Sequence, residues 1–98
     1  MLQNIILEKK QIEEELKEIP LWILTDNNHL ERELVFPNFI TAIGAINSIA
    51  IVAEKLDHHP DILLYGWNKV KIKTTTHNLG GLTILDFKLA KAIDELNY

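Results

Sequence analysis

The run from Phe39 to Pro60 constrains the fold more than any other part of the chain. Phe39, Ala42, Ile43, Ile46, Ile49, Ala50, Ala53 and Leu56 recur at spacings of three and four, the signature of one face of an α-helix. Asn38 stands where a side-chain oxygen can cap the first turn. The helix cannot pass His59, because Pro60 disfavours helical geometry in the residue before it. A long apolar helix must therefore stop at two adjacent histidines, with Glu54, Asp57 and Asp61 around them. Its stripe is expected to lie on a sheet. A second row, Ile40, Gly44 and Ile51, falls on the outer face, where a glycine permits close approach, and predicts contact with another helix.

The flanking segments supply the other elements. Leu2 to Ile19 reads as an amphipathic helix with Leu2, Ile5, Ile6, Ile12, Leu16 and Ile19 on one side, stopped by Pro20. Leu21 to Thr25 is a short strand, Asp26-Asn27-Asn28 a turn, and Leu30 to Phe36 an alternating, half-buried strand. His29, beside that turn, is expected to be an ordinary surface histidine. After Pro60, Ile62 to Tyr65 forms a strand, Gly66-Trp67-Asn68 turns the chain, and Lys69 to Thr75 alternates Val70, Ile72 and Thr74 against Lys71, Lys73 and Thr75. Gly80-Gly81 permits a bend. Thr83-Ile84-Leu85-Asp86 has the capping-box spacing and opens a helix to about Leu96 through Phe87, Ala90 and Ile93. The order α-β-β-α-β-β-α over residues 1–98 predicts one α+β domain.

Composition narrows the function classes. A chain of 98 residues buries a modest core, so self-association is expected to help it. A net charge of −4 argues against direct nucleic-acid binding. There is no cysteine, hence no disulfide or thiol chemistry. The start of the chain turns charged at Glu8-Lys9-Lys10, unlike a signal peptide, and no segment is expected to reach the length of a membrane span. A cytoplasmic protein without membrane partners is the expectation.

Two strands separate His59 from His77. In an antiparallel hairpin the start of the first strand lies beside the end of the second, so His58-His59-Pro60 and His77 should meet at one end of the sheet. Such a cluster suits proton transfer near neutral pH, with nearby carboxylates at Asp57, Asp61 or Asp86 favouring the charged imidazole. Two other readings stay open on these residues. The histidines could merely terminate a helix and a strand, or they could hold a metal, although no cysteine or helical histidine pair completes a ligand set.

The chain from about Trp22 onward resembles the pterin-4a-carbinolamine dehydratases. The resemblance rests on Leu30-x-Arg32, Phe36-x-x-Phe39, Glu54-Lys55-x-x-His58-His59-Pro60, Asn68-Lys69-Val70, Thr76-His77, Gly81-Leu82-Thr83 and Asp86-x-x-Leu89-Ala90. It departs at Trp67, where many members carry Tyr, and the segment after Pro60 is one residue longer. The resemblance implies a four-stranded antiparallel sheet with helices packed on one face. It implies dehydration of 4a-hydroxytetrahydropterin to the quinonoid dihydropterin, in tetrahydrobiopterin recycling, without metal or organic cofactor. By matching position, His58 and His77 would be the acid–base pair and His59 would bind the pterin. Pro60, Thr76, Asn78 and Leu79 would line the pocket, and Asp86, Glu54 and Asp57 would hold or polarise histidines. A homo-oligomer, dimer or tetramer, is implied too. Some relatives instead serve as dimerisation or assembly partners of other proteins, a binding role that stands as the alternative.

Overall fold

A computed structural model describes residues 5–26 and 28–98. The elements are α1 (Lys9–Leu16), β1 (Ile23–Thr25), β2 (His29–Val35), α2 (Phe39–Leu56), β3 (Asp61–Tyr65), β4 (Lys69–Thr74) and α3 (Ile84–Asp94). The strands form one antiparallel sheet in the order β1-β2-β4-β3, with the helices on one face. Alternation decides which side of each strand is buried. Leu30, Leu34, Val70, Ile72 and Thr74 point to the helices, while Glu33, Leu63, Tyr65 and the β4 lysines lie on the other face. Phe87, Leu89, Ala90 and Ile93 of α3 complete the core.

Several expectations shift. The first helix begins at Lys9 rather than Leu2, which lies outside the described residues, as does Asn27 of the first turn. Ile5 and Ile6 precede the helix and are exposed. The reason is a pair of competing hydrogen bonds: Leu7 N–H donates to Leu82 O at 2.8 Å, and the Gln11 side chain accepts from Glu8 N–H at 2.8 Å. Leu7 is thereby drawn alongside the chain that enters α3. His29, expected at the surface, is half-buried at the start of β2.

In α2 the buried stripe is rotated from the predicted one. Ala42, Ala45, Ile49 and Ala53 face the core, whereas Phe39 is 54 % exposed and Ala50 is exposed as well. Most of the large core side chains come from the sheet and α3, and three of the four buried residues of α2 are alanines that let it approach them closely. Eighteen residues with mean hydropathy 1.5 also bring α2 to the length and apolarity of a membrane span, contrary to the sequence expectation. Its apolar residues cover two faces, one set against the core and the other, including Ile40 and Ile51, exposed.

Both ends of α2 are defined. Asn38 Oδ1 accepts from Thr41 N–H at 2.9 Å. At the far end Asp57 takes a left-handed conformation (φ 51°), one that a short polar side chain tolerates. Asp57 N–H then bonds to Glu54 O and His58 N–H to Ala53 O, each at 3.1 Å, the paired pattern of a Schellman motif. This motif turns the chain sharply before Pro60 and directs His58 back under the helix end.

Candidate active site

The β3–β4 register sets Asp61 opposite Lys73. The start of β3 thus lies beside the end of β4, and the His58-His59-Pro60 corner meets the Thr75–Asn78 segment. Asp57, His58, His59, Thr75, Thr76, His77 and Asn78 line one depression of about 280 Å³. Pro60 and Leu79, expected in the pocket wall, are not among its lining residues. A larger groove of about 470 Å³ runs between α2 and α3, but its walls are Val52, Leu56, Ala92, Leu96, three lysines and Glu95, with no imidazole. The chemistry therefore favours the smaller site.

Asp86 is its anchor. As the third residue of α3 it accepts from the Thr83 backbone N–H at 3.0 Å, completing the predicted capping box. Inward alternation along the end of β4 brings Thr74 and Thr76 to the same carboxylate: Thr74 Oγ1 donates to Oδ1 at 2.7 Å and Thr76 Oγ1 to Oδ2 at 2.8 Å. His58 Nε2 lies 2.6 Å from Oδ1. Asp86 is fully buried, yet these four donors satisfy both its oxygens. Burial pushes its carboxyl pKa up, but the hydrogen bonds from His58, Thr83, Thr74 and Thr76 outweigh that and hold it below the ordinary carboxylate value. Because Thr76 spends its hydrogen on Asp86, Thr83 Oγ1 must donate to Thr76 Oγ1, 2.9 Å away, while accepting from Leu85 N–H.

An ionised Asp86 can only accept, so His58 Nε2 carries hydrogen. In the neutral ring the lone pair is then on Nδ1, since Nε2 makes the bond to Asp86. His59 borders the same depression, with its Nε2 2.7 Å from Glu54 Oε1 at an exposed surface. His77 is exposed and its ring has no hydrogen-bond partner among the described residues. Asp57 lines the depression beside the helix end it caps, and Asp61, the first residue of β3, is exposed. No group of three histidine or carboxylate side chains among the described residues is arranged to hold a metal.

Thr74 and Thr75 were not singled out from the sequence. The former shares the buried face of Val70 and Ile72, so the period of two extended through Thr74 and Thr76 was the available signal. The latter's burial depends on a long-range contact with Asn28, which leaves no local pattern.

The family profile of pterin 4 alpha carbinolamine dehydratases matches residues 6–96. A protein of Prochlorococcus marinus (strain NATL2A), provisionally named pterin-4-alpha-carbinolamine dehydratase, is 46 % identical over 91 residues, 93 % of this chain and 94 % of that one. A solved structure described as a transcriptional coactivator/pterin dehydratase from Brucella melitensis superposes with a TM-score of 0.85 at 33 % identity, covering 92 % of this chain and 96 % of its own. A pterin dehydratase-like protein identified as a RuBisCO assembly factor in the alpha-carboxysome shares the fold, with a TM-score of 0.56 at 21 % identity over 67 % of this chain and 75 % of its own. With a match across nearly its whole length, this chain belongs to the pterin 4 alpha carbinolamine dehydratase family.

Proposed function

We propose that this protein dehydrates a 4a-hydroxytetrahydropterin to the quinonoid dihydropterin by histidine acid–base catalysis, in tetrahydrobiopterin recycling in the cytoplasm. The observation that carries this reading is one depression bordered by both His58 and His77, with His58 fixed against Asp86. In the reaction the C4a–O bond breaks and a double bond forms between C4a and the adjacent ring nitrogen. A proton is delivered to the departing hydroxyl, which leaves as water, and a proton is taken from that nitrogen. His58 suits the accepting role, since Asp86 fixes its tautomer and stabilises the imidazolium that forms. His77, at the open rim, then protonates the hydroxyl. His59 binds the pterin from the exposed edge, with Glu54 holding its ring.

The test is the rate of quinonoid dihydropterin formation from freshly generated carbinolamine over the uncatalysed background. His58→Ala and His77→Ala should each lose about a hundred- to ten-thousand-fold in kcat, and the double variant should lose less than the product of the two. His59→Ala should raise KM more than it lowers kcat. If the wild type gives no acceleration, or the double variant remains fully active, the enzyme reading fails. A non-catalytic binding role would then take its place.

We propose further that the protein is a homo-oligomer joined through the outer face of α2. Ile40 and Ile51 are 73 % and 60 % exposed there, and the space around Gly44 is open. Light scattering at micromolar concentration should give more than a monomer mass. If Gly44→Arg combined with Ile51→Glu leaves that mass unchanged, this face is not the interface.

A further inference from the structure

We infer that Thr75 is a positioning residue: its hydroxyl fastens the β1–β2 turn to the loop bearing His77, and so sets where His77 stands relative to His58. This rests on the acid–base reading of the site. By strand alternation Thr75 faces away from the core, on the side of Lys71 and Lys73. It is nevertheless only 5 % exposed. Asn28, immediately before β2, reaches it. Thr75 Oγ1 lies 2.5 Å from Asn28 O and 3.5 Å from Gly81 O. A hydroxyl has one hydrogen, and the distances assign it to Asn28 O. Asn28 in turn sets its Nδ2 3.5 Å from Gly80 O, on the far limb of the same loop.

The loop itself is closed by backbone bonds. Thr76 N–H donates to Gly81 O at 3.0 Å, and Gly80 N–H lies 3.0 Å from Thr76 O and 3.2 Å from His77 O. Gly80 reaches φ 72°, which a side chain would oppose. Beyond it, Ile6 approaches Gly81 so closely that an added Cβ would lie 3.1 Å from its side chain. The loop thus has a fixed shape, but the His77 ring has no partner of its own among the described residues. Its location is inherited from the loop, and the loop's location depends on what ties it to the sheet. On the inner side that tie is Thr76, bonded to Asp86. On the outer side it is Thr75, bonded to the turn. The turn is a usable anchor because the pairing of Thr25 with His29 joins it to β2, which pairs with β4; Lys73 Nζ also lies 2.8 Å from Asp26 Oδ2. Removing the Thr75 hydroxyl would leave the inner tie intact and free the loop to rock about it, displacing His77 while His58 stays where Asp86 holds it.

The experiment compares Thr75→Val, which keeps the shape without the donor, with Thr75→Ser, which keeps the donor, and with Thr75→Cys, which keeps a weak one. Displacing a catalytic group by a fraction of its reach costs about tenfold or more, so Thr75→Val should lower kcat about that much while KM stays within about twofold. Thr75→Ser should restore most of kcat, with Thr75→Cys between them. Placed on His77→Ala, Thr75→Val should cost nothing further, because there is no longer a ring to misplace. In parallel, the His77 ring resonances should move in Thr75→Val and return in Thr75→Ser, and exchange of the amides in residues 76–81 should quicken. The inference is overturned if Thr75→Val keeps wild-type kcat, or loses equally with and without His77, or if Thr75→Ser is as impaired as Thr75→Val. If Thr75→Val does not fold, the Thr75→Cys and Thr75→Ser comparison decides by the same criteria. Should the wild type fail to accelerate dehydration at all, the enzyme reading falls by that result alone. The resonances and exchange rates then decide separately, and unchanged values in Thr75→Val overturn the positioning role.

Discussion

His58 is 9 % exposed and its ring abuts a carboxylate that is itself saturated by three further donors. His77, across the same depression, stands exposed on a six-residue loop closed by the Thr76–Gly81 bridge, and nothing among the described residues bonds to its ring. The two histidines are thus held by different physics. His58 is oriented by a buried polar network whose members also cap a helix and end a strand, so its environment is part of the core. His77 is oriented only by the backbone that carries it. A site built this way separates its costs: damage on the His58 side should reach stability and chemistry together, and damage on the His77 side should reach chemistry alone.

The largest expected effect tests that separation directly. Asp86→Asn keeps the shape but offers one acceptor oxygen where two were used. Whichever way the amide sits, its NH2 group faces two donors: His58 and Thr74, or Thr76 and the Thr83 N–H. Each buried donor left facing that NH2 group costs about 1–3 kcal/mol, so urea denaturation should show a loss of about 2–6 kcal/mol for the two. His77→Ala, an exposed change, should stay within about 0.5 kcal/mol. Similar losses in the two variants would dissolve the comparison.

Acid should sharpen it. Folding lowers the Asp86 pKa below its ordinary 3.8, so the unfolded chain binds the proton more tightly and acid favours unfolding. The stabilisation from this carboxylate is complete above 3.8 and is lost as pH falls through the lower folded value. The wild-type urea midpoint should therefore drop across that range, and the drop should be smaller in Asp86→Asn. Parallel curves would show that the buried network is not the titrating element. Asp26, also lowered by its hydrogen bond from Lys73, is present in both proteins and cancels in the difference.

How much of this was legible in the sequence follows from the range of the interactions. The meeting of His58 and His77 follows from hairpin geometry, and the cap of α3 from four consecutive residues, Thr83 to Asp86; both are local rules and both are found in the structure. The inward face of β4 follows from alternation. The failures are long-range. Which α2 stripe is buried depends on how much volume the sheet and α3 already fill, which no pattern within α2 encodes. The late start of α1 depends on Leu82, and the burial of Thr75 on Asn28, each far away along the chain. Trp67 was visible as a departure, but not that the tip of the β3–β4 hairpin sets both Gly66 and Trp67 at positive φ, 55° and 60°.

That tip provides a reference remote from both histidines. It lies at the Tyr65–Lys69 end of the hairpin, opposite the Asp61–Lys73 end that borders the site. A Trp in left-handed geometry pays for a conformation that Asn adopts more readily, and its side chain is 60 % exposed. Trp67→Asn should raise stability by about 0.5–1 kcal/mol in a thermal melt and leave dehydration kinetics unchanged. A change in kcat would mean that the two ends of the sheet are coupled and that the His77 side cannot be considered separately.

The smallest expected effect concerns the third histidine. His59 and Glu54 form a contact of 2.7 Å, as short as many in the buried network, yet their side chains are 58 % and 77 % exposed. Length alone would rank this pair with His58 and Asp86; exposure ranks it far below, because water solvates both partners when they separate and salt screens what remains. Glu54→Gln should change stability by less than about 0.5 kcal/mol, against several for Asp86→Asn. Its trace should appear in substrate binding instead. With the carboxylate gone, the His59 ring loses its orienting partner, and KM should rise about twofold at low ionic strength, with the difference from wild type shrinking as salt is added. A KM difference that survives at high salt would assign Glu54 a direct contact with the pterin. A stability loss matching that of Asp86→Asn would show that burial is not what distinguishes the histidines of this site.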